Sequence, residues 1–316
     1  MRVETREAQR QNGSRPRRLP RRTRQAAPPP RAGVRRLLGL WVPPLGVLAV
    51  VLGLWYGVSY VLLTPDRRFL APPPHQVVQI GFLIHENLVE IMRALLLSTE
   101  VALLGLALAA LLGMGSAILM HQARWIERSL YPYAVILQTI PILALVPLLG
   151  FWFGFGFFSR VLVCVLIAVF PIIANTLFGL QSVEPRQHDL FTLHTAGRLT
   201  RLWKLELPAA LPSIFTGLRI GAGASVIGAI VGDFFFQQGP PGIGSLIGQY
   251  SARLQSEQLF GSVFASSMLG VVVFWIFGLL GRRVVGRWHE SGRDPRGTAL
   301  TTTRAASINT QEEGGS

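Results

Sequence analysis

The 316-residue sequence contains one cysteine, Cys164, and one lysine, Lys204. A single thiol excludes an intramolecular disulfide and a cysteine metal cluster. Set inside an apolar run, it reads as a small buried hydrophobe. Lys204 follows Trp203, so no Gly-Lys-Ser/Thr phosphate loop exists. His-Glu-x-x-His and Gly-x-Ser-x-Gly are missing, and the six histidines are scattered over loops and ends. Gly154-Phe-Gly156, Gly221-Ala-Gly223 and Gly242-Ile-Gly244 each lack the third glycine of a dinucleotide turn. No nucleophile–base pair sits within the apolar runs, which disfavours an intramembrane enzyme. These absences leave no ATPase, metalloprotease or hydrolase site, and neither a metal nor another cofactor is expected in this chain.

Charge is scarce as well: 15% of residues are charged and 50% are hydrophobic. A soluble domain of this length does not usually hide so much apolar surface. The net charge of +14 is concentrated, with twelve arginines before residue 37. Residues 1–36 lack apolar periodicity and read as a disordered basic arm. Attraction to anionic membrane lipids accounts for it better than nucleic acid does.

Apolar runs of spanning length follow; about 20 residues cross the hydrocarbon as a helix. They cover 38–63, 94–120, 131–151, 161–180, 213–236 and 262–281, predicting an all-α membrane protein of about six transmembrane helices. The third run contains Pro141 and Pro147 and is expected to be kinked or broken. With a cytoplasmic N-terminus, the cytoplasmic segments hold 24 of 30 basic residues, and Arg67, Arg68, Arg93, Arg160 and Arg253 fall outside. The asymmetry predicts a multi-pass membrane protein with both termini cytoplasmic. The outer loop 64–93 reads as a stiff Pro-rich connector. The cytoplasmic loop 181–212 is long enough to carry function. Within it, Asp189–Leu207 is expected to form a short surface helix ending at Pro208 and Pro212.

Gly217, Gly221, Ala224, Gly228 and Gly232 fall on one helix face. Such a stripe serves either helix packing in lipid or a seam along a pathway. Glu100 and Asp233 place carboxylates at membrane depth, where an ionised group costs roughly 2.5–3.5 kcal/mol on insertion scales and faces protein or water. Gln138, Thr139 and Asn175 are milder cases.

The segment 189–208, Asp-Leu-Phe-Thr-Leu-His-Thr-Ala-Gly-Arg-Leu-Thr-Arg-Leu-Trp-Lys-Leu-Glu-Leu-Pro, resembles the EAA loop of ABC importer permeases. Anchored on Leu207 and Pro208, Asp189 stands at the motif's Glu, Leu190 and Phe191 at its alanines, and Leu205 at its Ile. The motif's glycine falls at Thr195, with Gly197 two positions later. Ala209–Ile220, Trp152–Gly156, Phe170-Pro171 with Asn175-Thr176, and Val231–Phe235 look like the nitrate/sulfonate/taurine branch. The resemblance spans about 94–284. Residues 191–194 and 200–204 look nearer the branch's riboflavin and thiamine-pyrimidine-precursor members.

The resemblance implies a type I ABC importer permease. In this reading 37–93 holds the first span and outer loop, 94–284 the permease core, and 285–316 a cytoplasmic tail. Two permease copies, by default a homodimer, would form the pathway between them. Loop 181–212 would dock as a coupling helix on an ABC ATPase subunit, which binds ATP and Mg. An extracytoplasmic solute-binding protein would deliver a small organic or oxyanion solute. A docking helix needs a hydrophobic anchor and small neighbours, and Phe191, Thr195, Ala196 and Gly197 meet that need. The alternative is a stand-alone secondary transporter or channel, which would carry inverted repeats and more membrane-embedded charge.

Overall fold

The computed structural model describes residues 32–286. Its described residues divide into two units, with the boundary between Leu54 and Trp55. Within the first, residues 32–54 are helical and present Val47, Val50 and Leu54 outward. This helix, α1 (Ala32–Gly57), carries Pro43 and Pro44 and starts five residues inside the stretch expected to be a disordered arm. Residues 1–31 of the arm and the tail beyond 286 lie outside the described residues.

In the second unit, a π turn at Val58–Leu62 completes the first candidate span. Next come a 3-10 turn (Pro65–Leu70), α2 (Pro74–Val78) and a π turn (Gln79–Leu83). The expected connector is thus folded. Trp55 Nε1 donates to the Pro72 carbonyl at 3.1 Å and Ser59 Oγ to that of Ala71 at 2.7 Å. The Trp55 ring stacks on Phe264 at 5.5 Å.

The helices that follow are α3 (His85–Gln122), α4 (Arg124–Thr139), α5 (Ile142–Phe153), α6 (Phe157–Gln181), α7 (Pro185–Leu193) and α8 (Arg198–Arg201). They are succeeded by α9 (Leu207–Phe235), α10 (Ile243–Ala252) and α11 (Ser256–Gly286). Among the described residues there are no strands. Five segments are long and apolar enough to span a membrane, and the α4–α5 pair makes a sixth. That pair bends by 100°. The break falls at Pro141, because the preceding Ile140 is forced extended (φ −70°, ψ 126°), whereas Pro147 stays inside α5.

Helix α6 forms the centre, packed between α3 and α9. Small residues set the approach. A Cβ at Gly113 would lie 2.9 Å from Ile172 Cγ2, and one at Gly228 would lie 2.8 Å from Cys164 Cα. Val101, Ala109, Val161, Ala168, Ile172 and Val226 fill the core around these contacts. In lipid such close backbone approach gains dispersion contacts that bulkier side chains would prevent.

At 1.5 Å per residue, α3 is about 57 Å long against a hydrocarbon thickness of about 30 Å. Its first turns therefore extend beyond the membrane. There Ile91 and Ala94 form a second core with Ile243, Leu246 and Tyr250 of α10 and Ala265 of α11. The Tyr250 hydroxyl donates to Glu90 at 2.8 Å. Burial, then that bond and the carboxylate's charge, push the phenol's pKa up.

The α7 segment departs from the sequence expectation. The surface helix starts at Pro185, four residues early, and stops at Leu193. The part expected as its continuation belongs to the next span: α8 runs through a π turn (Leu202–Glu206) into α9. Pro208 and Pro212 do not end this helix. Pro208 lies inside this continuous helix, just after the π turn, whose wider backbone absorbs the ring.

Candidate functional site

Three places combine exposed or buried polar chemistry with an unusual backbone. The first is the turn between α7 and α8. Helix α7 buries none of its residues. Leu190 and Leu193 of α7, Leu199 of α8 and Trp203 are all exposed, Leu193 to 79%. Phe191 and Ala196 are half-buried, while Asp189, Thr195 and Gly197 are exposed. Thr195 holds φ 49°, the left-handed region that ordinarily calls for glycine. The Ala196 N–H reaches back to the Phe191 carbonyl at 3.0 Å and that of Thr195 to Thr192 at 2.9 Å, closing α7. The turn is therefore not shifted to Gly197, whose backbone is extended (φ −65°, ψ 162°) at the start of α8. Arg201 Nη2 donates to Thr192 Oγ1 at 3.0 Å and fixes α8 against α7. Leu205, Leu207 and Pro208 are half-buried at the root of α9, away from this surface. The sequence-derived set thus splits into an exposed turn, 189–197, and a buttress, 205–208.

The second place is a groove of about 470 Å³ at the α4–α5 break. Gln138, Ile140, Ile142, Phe170, Pro171 and Ile227 line it. Irregular backbone at membrane depth is tolerated where it lines a cavity or is buried in protein. Of the polar residues expected in a pathway, Gln138 lines this groove, whereas Thr139 turns its hydroxyl onto the Ile136 carbonyl at 2.8 Å. Asn175 donates to the Pro171 carbonyl at 2.8 Å within its own helix. Glu100 is exposed on α3. A second groove of about 470 Å³ runs between α9 and α11 past Gly223, Ser266, Ser267 and Phe274. Arg219 stacks on Phe274, its Cζ 3.8 Å from the ring centre.

The glycine stripe of α9 faces α6, not a groove. A Cβ at Gly217 would meet Asn175 Cβ at 2.8 Å, one at Gly221 would meet Ile172 Cδ1 at 2.9 Å, and one at Gly232 would meet Arg160 Cα at 3.0 Å. Ala224 is half-buried against the same core.

The third place is a buried polar knot at the end of the bundle away from α7. Arg160, assigned to an outer loop by its sequence position, lies in α6 and is 1% exposed. Its guanidinium donates to the carbonyls of Phe236 (2.9 Å), Gln238 (3.0 Å) and Pro240 (3.1 Å) and to Asp233 Oδ1 (3.3 Å). Ser98 Oγ donates to Asp233 Oδ2 and accepts the Ile243 N–H at 2.8 Å. Ser245 Oγ donates to the Asp233 carbonyl at 2.5 Å. The charge pair and Ser98 therefore hold the irregular backbone of 236–243 through three carbonyls and one N–H. The sequence clue was an arginine directly at the edge of an apolar run.

Among the described residues no three His, Cys, Asp or Glu side chains form a group able to hold a metal.

Residues 105–286 match the family described as binding-protein-dependent transport system inner membrane component. The formylaminopyrimidine transport permease protein of Halalkalibacterium halodurans is 35% identical over 210 residues, 65% of this chain and 81% of the relative. The riboflavin transport system permease protein of Chloroflexus aurantiacus is 34% identical over 168 residues, covering 53% and 62%. The taurine transport system permease protein of Escherichia coli is 32% identical over 184 residues, covering 57% and 66%.

Proposed function

Because the chain belongs to the family of binding-protein-dependent transport system inner membrane components, a multi-pass inner-membrane family of ABC transporter permeases for small solutes, we propose that it forms the translocation pathway of an ATP-driven importer. The observation that carries this reading is the exposed α7–α8 turn. It leaves Leu190, Leu193 and Leu199 uncovered on two helices that bury none of their residues, with Trp203 exposed just beyond them. A free-standing protein has no reason to leave that many large apolar side chains exposed beyond the membrane, and a docking helix does.

The turn seats on a separate ATPase subunit, which supplies the ATP and Mg chemistry this chain lacks. Both termini and α7 are cytoplasmic; the arginine distribution supports this orientation. The basic arm rests on anionic lipid. A solute-binding protein approaches the opposite end, where α10 and the π turn at Gln79–Leu83 lie. Two copies of the chain assemble with the α4–α5 groove along their shared pathway, since paired copies are the commonest assembly. The solute is a small organic molecule or oxyanion, in keeping with the solutes named for the relatives.

Co-purification with an ABC ATPase subunit from the same cells tests the reading. Wild type is expected to retain the ATPase, and a membrane-inserted Phe191→Asp, Ala196→Arg variant is expected to lose it. Equal retention by the variant would remove α7 as the docking site. No retention by wild type would favour a transporter working alone.

A further inference from the structure

Helix α7 buries no side chain, so little of the bundle's packing moves with it. Arg201–Thr192 ties it to α8, the start of its own onward chain. Its polar side-chain approach to the bundle is at Glu206. This carboxylate is only 6% exposed, unlike every acidic residue of the α7 turn. His121 Nε2, at the last turn of α3, lies 3.0 Å from Glu206 Oε2. His188 Nδ1, in the middle of α7, lies 3.9 Å from Glu206 Oε1. One carboxylate thus faces the end of α3 on one side and α7 on the other.

Its own backbone belongs to the π turn that opens into α9. The turn is held by Leu202, buried with Leu180, Ala210 and Ile214. Glu206 therefore cannot follow α7 without dragging α9, nor release His121 without leaving a buried carboxylate short of a partner. Such a group is costly to strand in a low-dielectric site, which makes the link stiff. The three side chains are not a metal centre by their geometry.

We propose that Glu206, with His121 and His188, is the polar link that carries displacement of α7 into α3 and α9. The inference rests on the reading of α7 as the ATPase docking helix. It adds the positioning residues through which docking reaches the membrane helices. A push on α7 moves His188 against Glu206. Glu206 moves the root of α9, and through His121 the end of α3. Both helices pack on α6, and α9 also borders the α4–α5 groove through Ile227.

The test uses the full chain with its ATPase subunit in lipid nanodiscs. Cys164→Ala removes the native thiol, and Gln138→Cys reports on the groove. The rate of alkylation by a water-soluble maleimide is compared with and without ATP and vanadate. The otherwise unaltered chain is expected to show a nucleotide-dependent rate. Glu206→Gln and His121→Leu are expected to keep the ATPase bound and hydrolysing while the nucleotide response shrinks by about threefold to tenfold. His121→Arg, which keeps a nitrogen donor opposite Glu206, is expected to restore the response, a rescue that a purely space-filling role would not give. His188→Gln, on the exposed helix where misfolding is not a concern, is expected to weaken it. An undiminished response in Glu206→Gln and His188→Gln would overturn the link while leaving docking intact. Failure of the unaltered chain to hold the ATPase would overturn the docking reading and the link with it, and a bound ATPase without any nucleotide response would overturn the link.

Discussion

Arg160 of α6 and Asp233 of α9 meet 3.3 Å apart at 1% and 0% exposure, and between them they satisfy the irregular backbone that closes one end of the bundle. The pair is tolerable in an apolar setting because its remaining donors and acceptors are occupied by three carbonyls and by Ser98. Asp233→Ala would strand the guanidinium, with an expected loss of about 3–5 kcal/mol. The check is unfolding in mild detergent, where the double change Arg160→Leu, Asp233→Leu should be less damaging than Asp233→Ala alone.

Ser98 holds the same knot from α3. Ser98→Ala removes the acceptor of the Ile243 N–H and one donor to Asp233. A buried N–H left without a partner costs about 1–3 kcal/mol. The effect should be local. Hydrogen exchange is expected to quicken over 236–252 while α6 amides stay protected.

Thr195 carries a side chain where the backbone is left-handed. That conformation costs an L-residue about 1–2 kcal/mol, partly offset on substitution by the larger unfolded-state entropy of glycine. Thr195→Gly should therefore leave α7 equally or slightly more protected in hydrogen exchange. Thr195→Val, β-branched and without the hydroxyl, should leave it less so, and retention of the ATPase should follow the same order.

Gly228 sits so close to α6 that a Cβ would fall 2.8 Å from Cys164 Cα, a backbone atom that cannot swing away. Gly228→Val is expected to force α6 and α9 apart, at about 1–3 kcal/mol or more. A lowered melting temperature in detergent would register it. Gly223, with open space around it, should accept alanine with little change.

Much of this architecture is legible in the sequence because membrane spans depend on length and apolarity, which a linear string displays. The break in the third span is legible for a similar reason: Ile140-Pro141 constrains its own backbone. Arg160 misled, because its place near the start of an apolar run matches a loop edge, while its partners lie 73 to 80 residues away. Helix α10 is ten residues long, between Gly242 and Arg253, and carries internal glycine and serine, too short for an apolar period to stand out. The α7–α8 turn was placed by motif, but its geometry was not. Whether Thr195 or Gly197 would turn left-handed depends on the closing bonds to Phe191 and Thr192. The Glu206 link joins residues 85 apart in sequence, and no local spacing announces it.

In the proposed transporter the α7 turn meets an ATPase and the far end of the bundle meets a solute-binding protein. A photo-crosslinking amino acid at Leu193 or at Leu254, both exposed, tests it in cells expressing the whole transporter. An adduct with the ATPase subunit is expected from position 193 alone, and one with the solute-binding protein from position 254 alone. An ATPase adduct from position 254, or none from position 193, would contradict it.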